Sequence, residues 1–255
     1  MLVRIRISFD ALIKTLILFG YLMFLTWLIG TNAIQLYIHP RYLQLTQMTV
    51  MVLFGLVIVQ ALQIIYLKQD NHHCHHPGRT LRRWLGYMPF LVSLLLAFYL
   101  PSSTLNAKLV GTKGFNTGVI AVSEQTLADF AVTMQQMAMI EVTDQNYINV
   151  ISELRLHPEK YVGRQITITG FVYKDLSFPA AKLALVRYVT FCCSADAIPA
   201  GILCEVADEQ NYPIGTWLSV QGTLALSEHQ KKTVPLISAA RVTIIEEPPQ
   251  PYIYP

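Results

Sequence analysis

Three apolar runs occupy the first hundred residues, at about 11–29, 48–67 and 84–100. A helix that spans a bilayer needs about 20 consecutive apolar residues. Lys14 sits near the start of the first run and can snorkel toward headgroups. Gln60 and Gln63 interrupt the second, and Pro101 closes the third, the shortest. Tyr21, Trp27, Tyr37, Tyr66, Trp84 and Tyr99 lie near the run ends, where interfacial aromatics collect. A chain with such runs is 53% hydrophobic and only 14% charged, against about 25% charged in an ordinary soluble domain. The expectation is three membrane helices. A cleaved signal peptide is the weaker alternative for the first run, because Thr31-Asn32-Ala33 makes a poor cleavage site and two more runs follow.

Basic residues set the expected orientation. Arg4, Arg6 and Lys14 precede or open the first run, Arg41 stands alone in the first loop, and Lys68, Arg79, Arg82 and Arg83 mark the second. The positive-inside rule then puts the N-terminus and second loop in the cytoplasm and everything after Pro101 outside. Apart from Lys14 the runs hold no ionisable residue. Such residues mark ion paths through membranes, so these helices read as an anchor or as partners of another membrane subunit.

The second loop carries His72, His73, Cys74, His75 and His76, followed by Pro77 and Gly78. Imidazole and thiolate suit zinc or another transition metal. Neighbouring side chains diverge, so two to four of the five could meet on one ion. The spacing is not that of a zinc finger. A low-complexity polar loop is the equal alternative.

Residues 102–118 are rich in Gly, Ser, Thr and Asn and read as a linker. Leu127, Phe130, Ala131, Met134, Met137 and Ala138 follow at helical spacing, with Thr126 as candidate cap. A second helix is expected from about 144 to 156, capped by Asp144 and stopped by His157-Pro158. The period then falls to two. Strands are expected at 165–173, 183–193, 201–206, 217–226 and 234–245, with Gly and Pro turns between them. Five such strands suggest a small barrel of the OB type. Residues 248–255 form an extended, Pro- and Tyr-rich tail. The expected fold is therefore membrane α plus soluble β: a membrane region over 1–101, a linker and helical connector over 102–157, an OB-like five-stranded β-barrel over 158–247, then the tail.

Cys192 and Cys193 end the second strand, Asp196 follows in a small-residue turn, and Cys204 lies on the next strand. Residues of a strand alternate faces, so one of the adjacent pair is expected in the core and the other outside. Three readings stand: small buried side chains with Asp196 capping a turn, a bridge from Cys204 to Cys192 or Cys193 in an oxidising compartment, or a thiol beside Asp196 that binds soft metal or exchanges disulfides. No strong activator lies nearby, so a catalytic cysteine has poor support. Lys174, Lys182, Arg187, Lys231 and Lys232 give some basic surface. A net charge of +3 and the expected side of the membrane argue against nucleic acid.

The three apolar segments, the His-rich loop, the β-domain, Tyr161-Val162-Gly163-Arg164-Gln165-Ile166-Thr167-Ile168-Thr169-Gly170-Phe171-Val172-Tyr173, Arg187 with Cys192-Cys193-Ser194-Ala195-Asp196-Ala197, and the Pro-Tyr-Ile-Tyr end together resemble one family. It is the YcgQ-like family of bacterial membrane proteins, described as two-component permease subunits. The resemblance spans nearly the whole chain. It implies a separate multi-span permease subunit as partner and a link to metal homeostasis, and it supplies no catalytic residue to carry over; with the apolar spans, the expected location is the bacterial inner membrane, in contact with membrane lipid. Metal sensing through the loop and thiol redox chemistry at Cys192 and Cys193 are the competing functions.

Overall fold

The computed structural model describes residues 9–66, 79–99, 105, 107–113, 123–178, 181–229 and 232–255. They belong to two compact units, Met1–Ser102 and Ser103–Pro255.

The first unit holds α1 (Phe9–Gly30), α2 (Leu43–Tyr66) and α3 (Arg79–Tyr99). The stretches Ala11–Gly30 and Pro40–Gln63, each with mean hydropathy 2.0, are long and apolar enough to cross a membrane. Apart from Ile17, Leu22 and Leu28, few of their side chains are buried: Leu16, Phe19, Met23, Met51, Val52 and Phe54 stand exposed, a surface suited to hydrocarbon. α2 begins earlier than the apolar run at 48, because a 3₁₀ turn over Pro40–Tyr42 feeds it and His39 accepts the Arg41 N–H at 3.0 Å. The apolar part of α3, Leu85–Tyr99, is shorter than a full span and has Pro89 inside the helix. Among the described residues two helices are of spanning length, and the third expected span has a shorter apolar helix in its place. α1 and α3 meet through the Tyr21 hydroxyl, which donates to the Phe90 carbonyl at 3.1 Å and bonds the Ser93 hydroxyl. The Phe24 and Phe98 rings pack edge-on at 5.4 Å.

The second unit is built on one seven-stranded sheet. Its strands are β1 (Ile140–Glu141), β2 (Gln165–Tyr173), β3 (Lys182–Val189), β4 (Ile198–Glu205), β5 (Trp217–His229), β6 (Lys232–Ile244) and β7 (Tyr252–Ile253). The order is β1-β2-β5-β6-β4-β3-β7, and β2 pairs with β3 as well. The five long strands are the five expected ones. β1 and β7 are two residues each, too short for a period-two pattern to reveal. β2 alternates as its sequence reads: Ile166 and Ile168 are fully buried while Thr167 and Thr169 are half-exposed.

The core gathers Ile166, Ile168, Leu183, Leu185, Leu218 and Val220 from the strands with Tyr147, Ile151 and Leu154 from α6 (Tyr147–Leu156). α5 (Glu124–Gln136) adds Met134 and, at its edge, Phe130. The Arg164 guanidinium closes the end of α5, donating to the carbonyls of Met134, Gln135 and Met137, a fitting partner for orphaned C-terminal carbonyls. α6 also meets β4 where that strand's pairing with β6, confined to Leu203–Glu205, has stopped. Tyr147 donates its hydroxyl to the Ala200 carbonyl (3.0 Å), and Arg155 donates to that of Gly201 (2.8 Å). Buried Glu153 is covered by the Tyr161 hydroxyl at 2.9 Å.

Two expectations about the flanks change. α6 starts at Tyr147, after Asn146, and Asp144 caps nothing; it faces Arg187. The stretch read as a linker contains α4 (Lys108–Lys113), and Ala107 and Val110 are buried at 4% and 0% exposure. The Leu105 N–H donates to the Tyr252 hydroxyl at 2.8 Å. These few apolar residues are diluted by Gly, Ser and Thr in sequence, which hides their role. A second aromatic layer, Phe171, Tyr173, Tyr188, Trp217 and Tyr252, is nearly buried on the strands. The Phe171, Tyr188, Trp217 and Tyr252 rings meet at 5.5–6.4 Å, and Tyr173 packs edge-on against Phe178 at 5.9 Å.

Buried phenols make the domain sensitive to alkali. Burial, then the hydrogen bond to Glu153, pushes Tyr161 up to about 12. Burial pushes Tyr254 up to about 12 and raises Tyr147 and Tyr188 as well. An unfolded tyrosine titrates near 10, at about pH 10. Folded values lie above it, so this stabilisation is complete below about pH 10 and is lost as pH rises through about 12. The thermal midpoint of the detergent-solubilised protein should hold level to about pH 10 and then fall. A profile flat through that window would show the phenols are not protected.

Candidate functional site

β3 ends at Val189, and the Thr190 N–H donates to the Ile253 carbonyl at 2.9 Å. Phe191, Cys192 and Cys193 then turn into a 3₁₀ segment over Ser194–Asp196, and β4 follows. One carboxylate organises this turn. Asp196 accepts the N–H groups of Cys192 at 2.7 Å, Phe191 at 3.2 Å and Cys193 at 3.4 Å. The Asp196 N–H in turn donates to the Cys193 carbonyl at 3.0 Å, and the Cys193 side chain receives it as a cap. Burial alone pushes the Asp196 carboxyl up. The Cys192 thiol and the three N–H groups outweigh it and hold the carboxyl below its ordinary value.

The two thiols point away from the core. Cys192 is exposed, Cys193 half-exposed, and their sulfurs lie 3.6 Å apart. The hydrogen bond to Asp196, then that to Cys193, pushes the Cys192 thiol up to about 12. The Ala195 N–H, then the Cys192 thiol, draws Cys193 below the ordinary thiol value. Of the two thiols, Cys193 is the readier to ionise.

Two expectations fail here. Neither Cys192 nor Cys193 enters the core, because Asp196 captures the backbone N–H groups that a strand would need for its ladder. Cys204 cannot bridge to them. It is fully buried on β4 opposite Leu183, whereas the turn lies beyond Ile198 at the other end of that strand. Six residues of strand span about 20 Å, against a limit of about 7 Å between Cα atoms for a disulfide. All three described cysteines are unbridged, and burial pushes the Cys204 thiol up. Cys204 alone fits the reading of a small buried side chain.

Next to the turn, Arg187 is 4% exposed on β3. It pairs with Asp144 at 2.5 Å, donates to the carbonyls of Gln250 (2.7 Å) and Pro251 (3.3 Å), and lies over the Trp217 ring at 5.5 Å. This latch holds β7 parallel to β3, with Tyr188 opposite Tyr252. Sequence reasoning missed it. The available clue was an arginine inside an apolar strand, which is tolerated when partnered. The loop residues His72, His73, Cys74, His75 and His76 lie outside the described residues. Among the described residues no group of three or more His, Cys, Asp or Glu could hold a metal ion.

This architecture has relatives. Residues 13–116 match the DUF1980 N-terminal domain and residues 121–255 the DUF1980 C-terminal domain, so the chain belongs to the YcgQ-like DUF1980 family. It is 24% identical to UPF0703 protein YcgQ of Bacillus subtilis (strain 168), over 94% of this chain and 98% of the relative. It is 26% identical to a Streptococcus mutans protein named "Putative two-component membrane permease complex subunit", over 95% of this chain and 99% of the relative. Among solved structures, a small single-stranded DNA-binding protein from Streptomyces coelicolor aligns over 32% of this chain and 94% of its own, with 15% identity and a TM-score of 0.23. A likeness at that level carries no argument.

Proposed function

We propose that the chain is the membrane-anchored accessory subunit of a two-component permease. The observation that carries this reading is the end-to-end match to the Streptococcus mutans protein of that name, 95% of this chain against 99% of the relative. The two long apolar helices support a membrane location. In this reading α3 completes a third span, the N-terminus and the loop at His72–His76 face the cytoplasm of a bacterial inner membrane, and the second unit is an OB-like barrel on the outer side. The spans pack on a multi-span partner that carries the transport path, since their apolar sequence offers no ionisable relay of its own. The chain acts by binding, not by catalysis. The His-rich loop supplies ligands for zinc or another transition metal on the cytoplasmic side.

Affinity purification from native membranes tests this. A multi-span membrane protein should co-purify in stoichiometric amount. Metal found in the same sample should disappear when His72, His73, His75 and His76 are replaced together. Recovery of the chain alone from native membranes would sink the permease reading, and unchanged metal content would sink the role of the loop.

A further inference from the structure

We propose that Cys192 and Cys193 form an open two-thiolate site for a thiophilic, tetrahedral divalent cation. The sulfurs are already spaced for it. Two thiolates bound to one tetrahedral ion at about 2.3 Å each sit roughly 3.8 Å apart, and Cys192 and Cys193 present 3.6 Å. A linear two-coordinate ion would need its sulfurs on opposite sides and farther apart. A disulfide between them would need the sulfurs drawn in to about 2.05 Å around a single peptide unit, a strained closure. The ion requires almost no movement.

Exposure separates this pair from the structural cysteine. Free cysteines are among the most buried residues of folded proteins, and Cys204 follows that rule while Cys192 and Cys193 do not. The turn is also rigid on its own terms. Three N–H groups on the Asp196 carboxylate fix the backbone of Phe191, Cys192 and Cys193, so the turn that presents the two sulfurs is set before any ion arrives. Asp196 is a positioning residue, since its oxygens are already engaged by those N–H groups and by the Cys192 thiol. With no third ligand among the described residues, two coordination positions stay open to water or to a donor from another molecule. That suits passing an ion onward better than storing it. Binding releases to water whichever thiol protons remain, and no electron changes hands.

The test uses the full-length protein in detergent with Cys74→Ser, so that loop sulfur cannot contribute, and Cd²⁺ as the probe. Cadmium addition should give a thiolate-to-metal charge-transfer band that saturates at one ion per chain and protects both thiols from alkylation. Cys192→Ser and Cys193→Ser should each abolish the band. Both keep a small polar side chain on a turn held by the Asp196 carboxylate, and an unchanged thermal midpoint checks their folding. Absence of the band from the Cys74→Ser protein, or its persistence in either serine variant, overturns the proposal. The measurement needs no partner, so its outcome is distinct from that of the co-purification.

Discussion

Gly201→Ala should cost about 4 kcal/mol and leave the β-domain at the edge of unfolding. Gly201 pairs with Val186 where β4 crosses β3. A Cβ there would overlap the Leu185 carbonyl oxygen and come within 2.9 Å of both the Leu185 carbonyl carbon and the Val186 Cα. All three atoms are backbone, so no rotamer change relieves the clash. Overpacking a core costs about 1–3 kcal/mol when side chains can shift, and more when the backbone must. The same residue's carbonyl accepts from Arg155, so displacement of β4 also strips α6 of its anchor. A domain is stable by only about 5–15 kcal/mol in total. Denaturant titration of the detergent-solubilised protein would measure the loss. Gly111→Ala is the control, because a Cβ there meets only the Tyr173 hydroxyl, at 3.8 Å. Equal midpoints for the two variants would mean that β3 and β4 do not approach so closely.

Arg187→Met should cost about 3 kcal/mol and free the Tyr252–Ile253 strand. Methionine keeps the bulk against Trp217 and removes every donor. The buried Pro251 carbonyl then loses its partner, a loss of about 1–3 kcal/mol, while water can partly replace the guanidinium at the Gln250 carbonyl, whose residue is exposed. Asp144 is a smaller part of the effect. Its side chain is 47% exposed, so water can take over when the guanidinium goes, and Asp144→Asn should cost about 1 kcal/mol. Thermal midpoints rank the two variants, and limited proteolysis reports the tail. Equal shifts, with residues 250–255 still protected, would show that β7 docks without the arginine.

What could be read from sequence depended on whether the cause was local. β2 is recovered to the residue, Gln165–Tyr173, because Ile166 and Ile168 alternate with Thr167 and Thr169 across a half-buried strand. The end of β3 is misplaced by four residues, at 193 instead of Val189. Phe191 and Cys192 continue the apolar composition, and only the hydrogen bonds of Asp196, several residues onward, reveal that the ladder has ended. Asp144 looks like a helix cap because caps are local patterns, while its partner Arg187 is 43 positions away. The tail reads as extended and is extended. That it is a strand depends on β3 and Arg187, which no tail composition encodes. The cysteine pair was visible at once; its arrangement on the surface, and the separation of Cys204 from it, required the register of β3 against β4.

The double pairing of β2, with β5 on one side and β3 on the other, also bears on how quickly the domain can form. β3 and β4 are neighbours in sequence and can pair early as a hairpin, as can β5 and β6. The Gln165–Thr223 pairing instead joins residues far apart in the chain, and the parallel contact of β4 with β6 does the same. Contacts of such long range make for slow folding. Until they form, β2 and β4 each offer an unpaired edge, the kind of surface on which chains aggregate. The rate at which this protein matures should therefore be governed by closure at β2 and β5, not by formation of the helices that precede them.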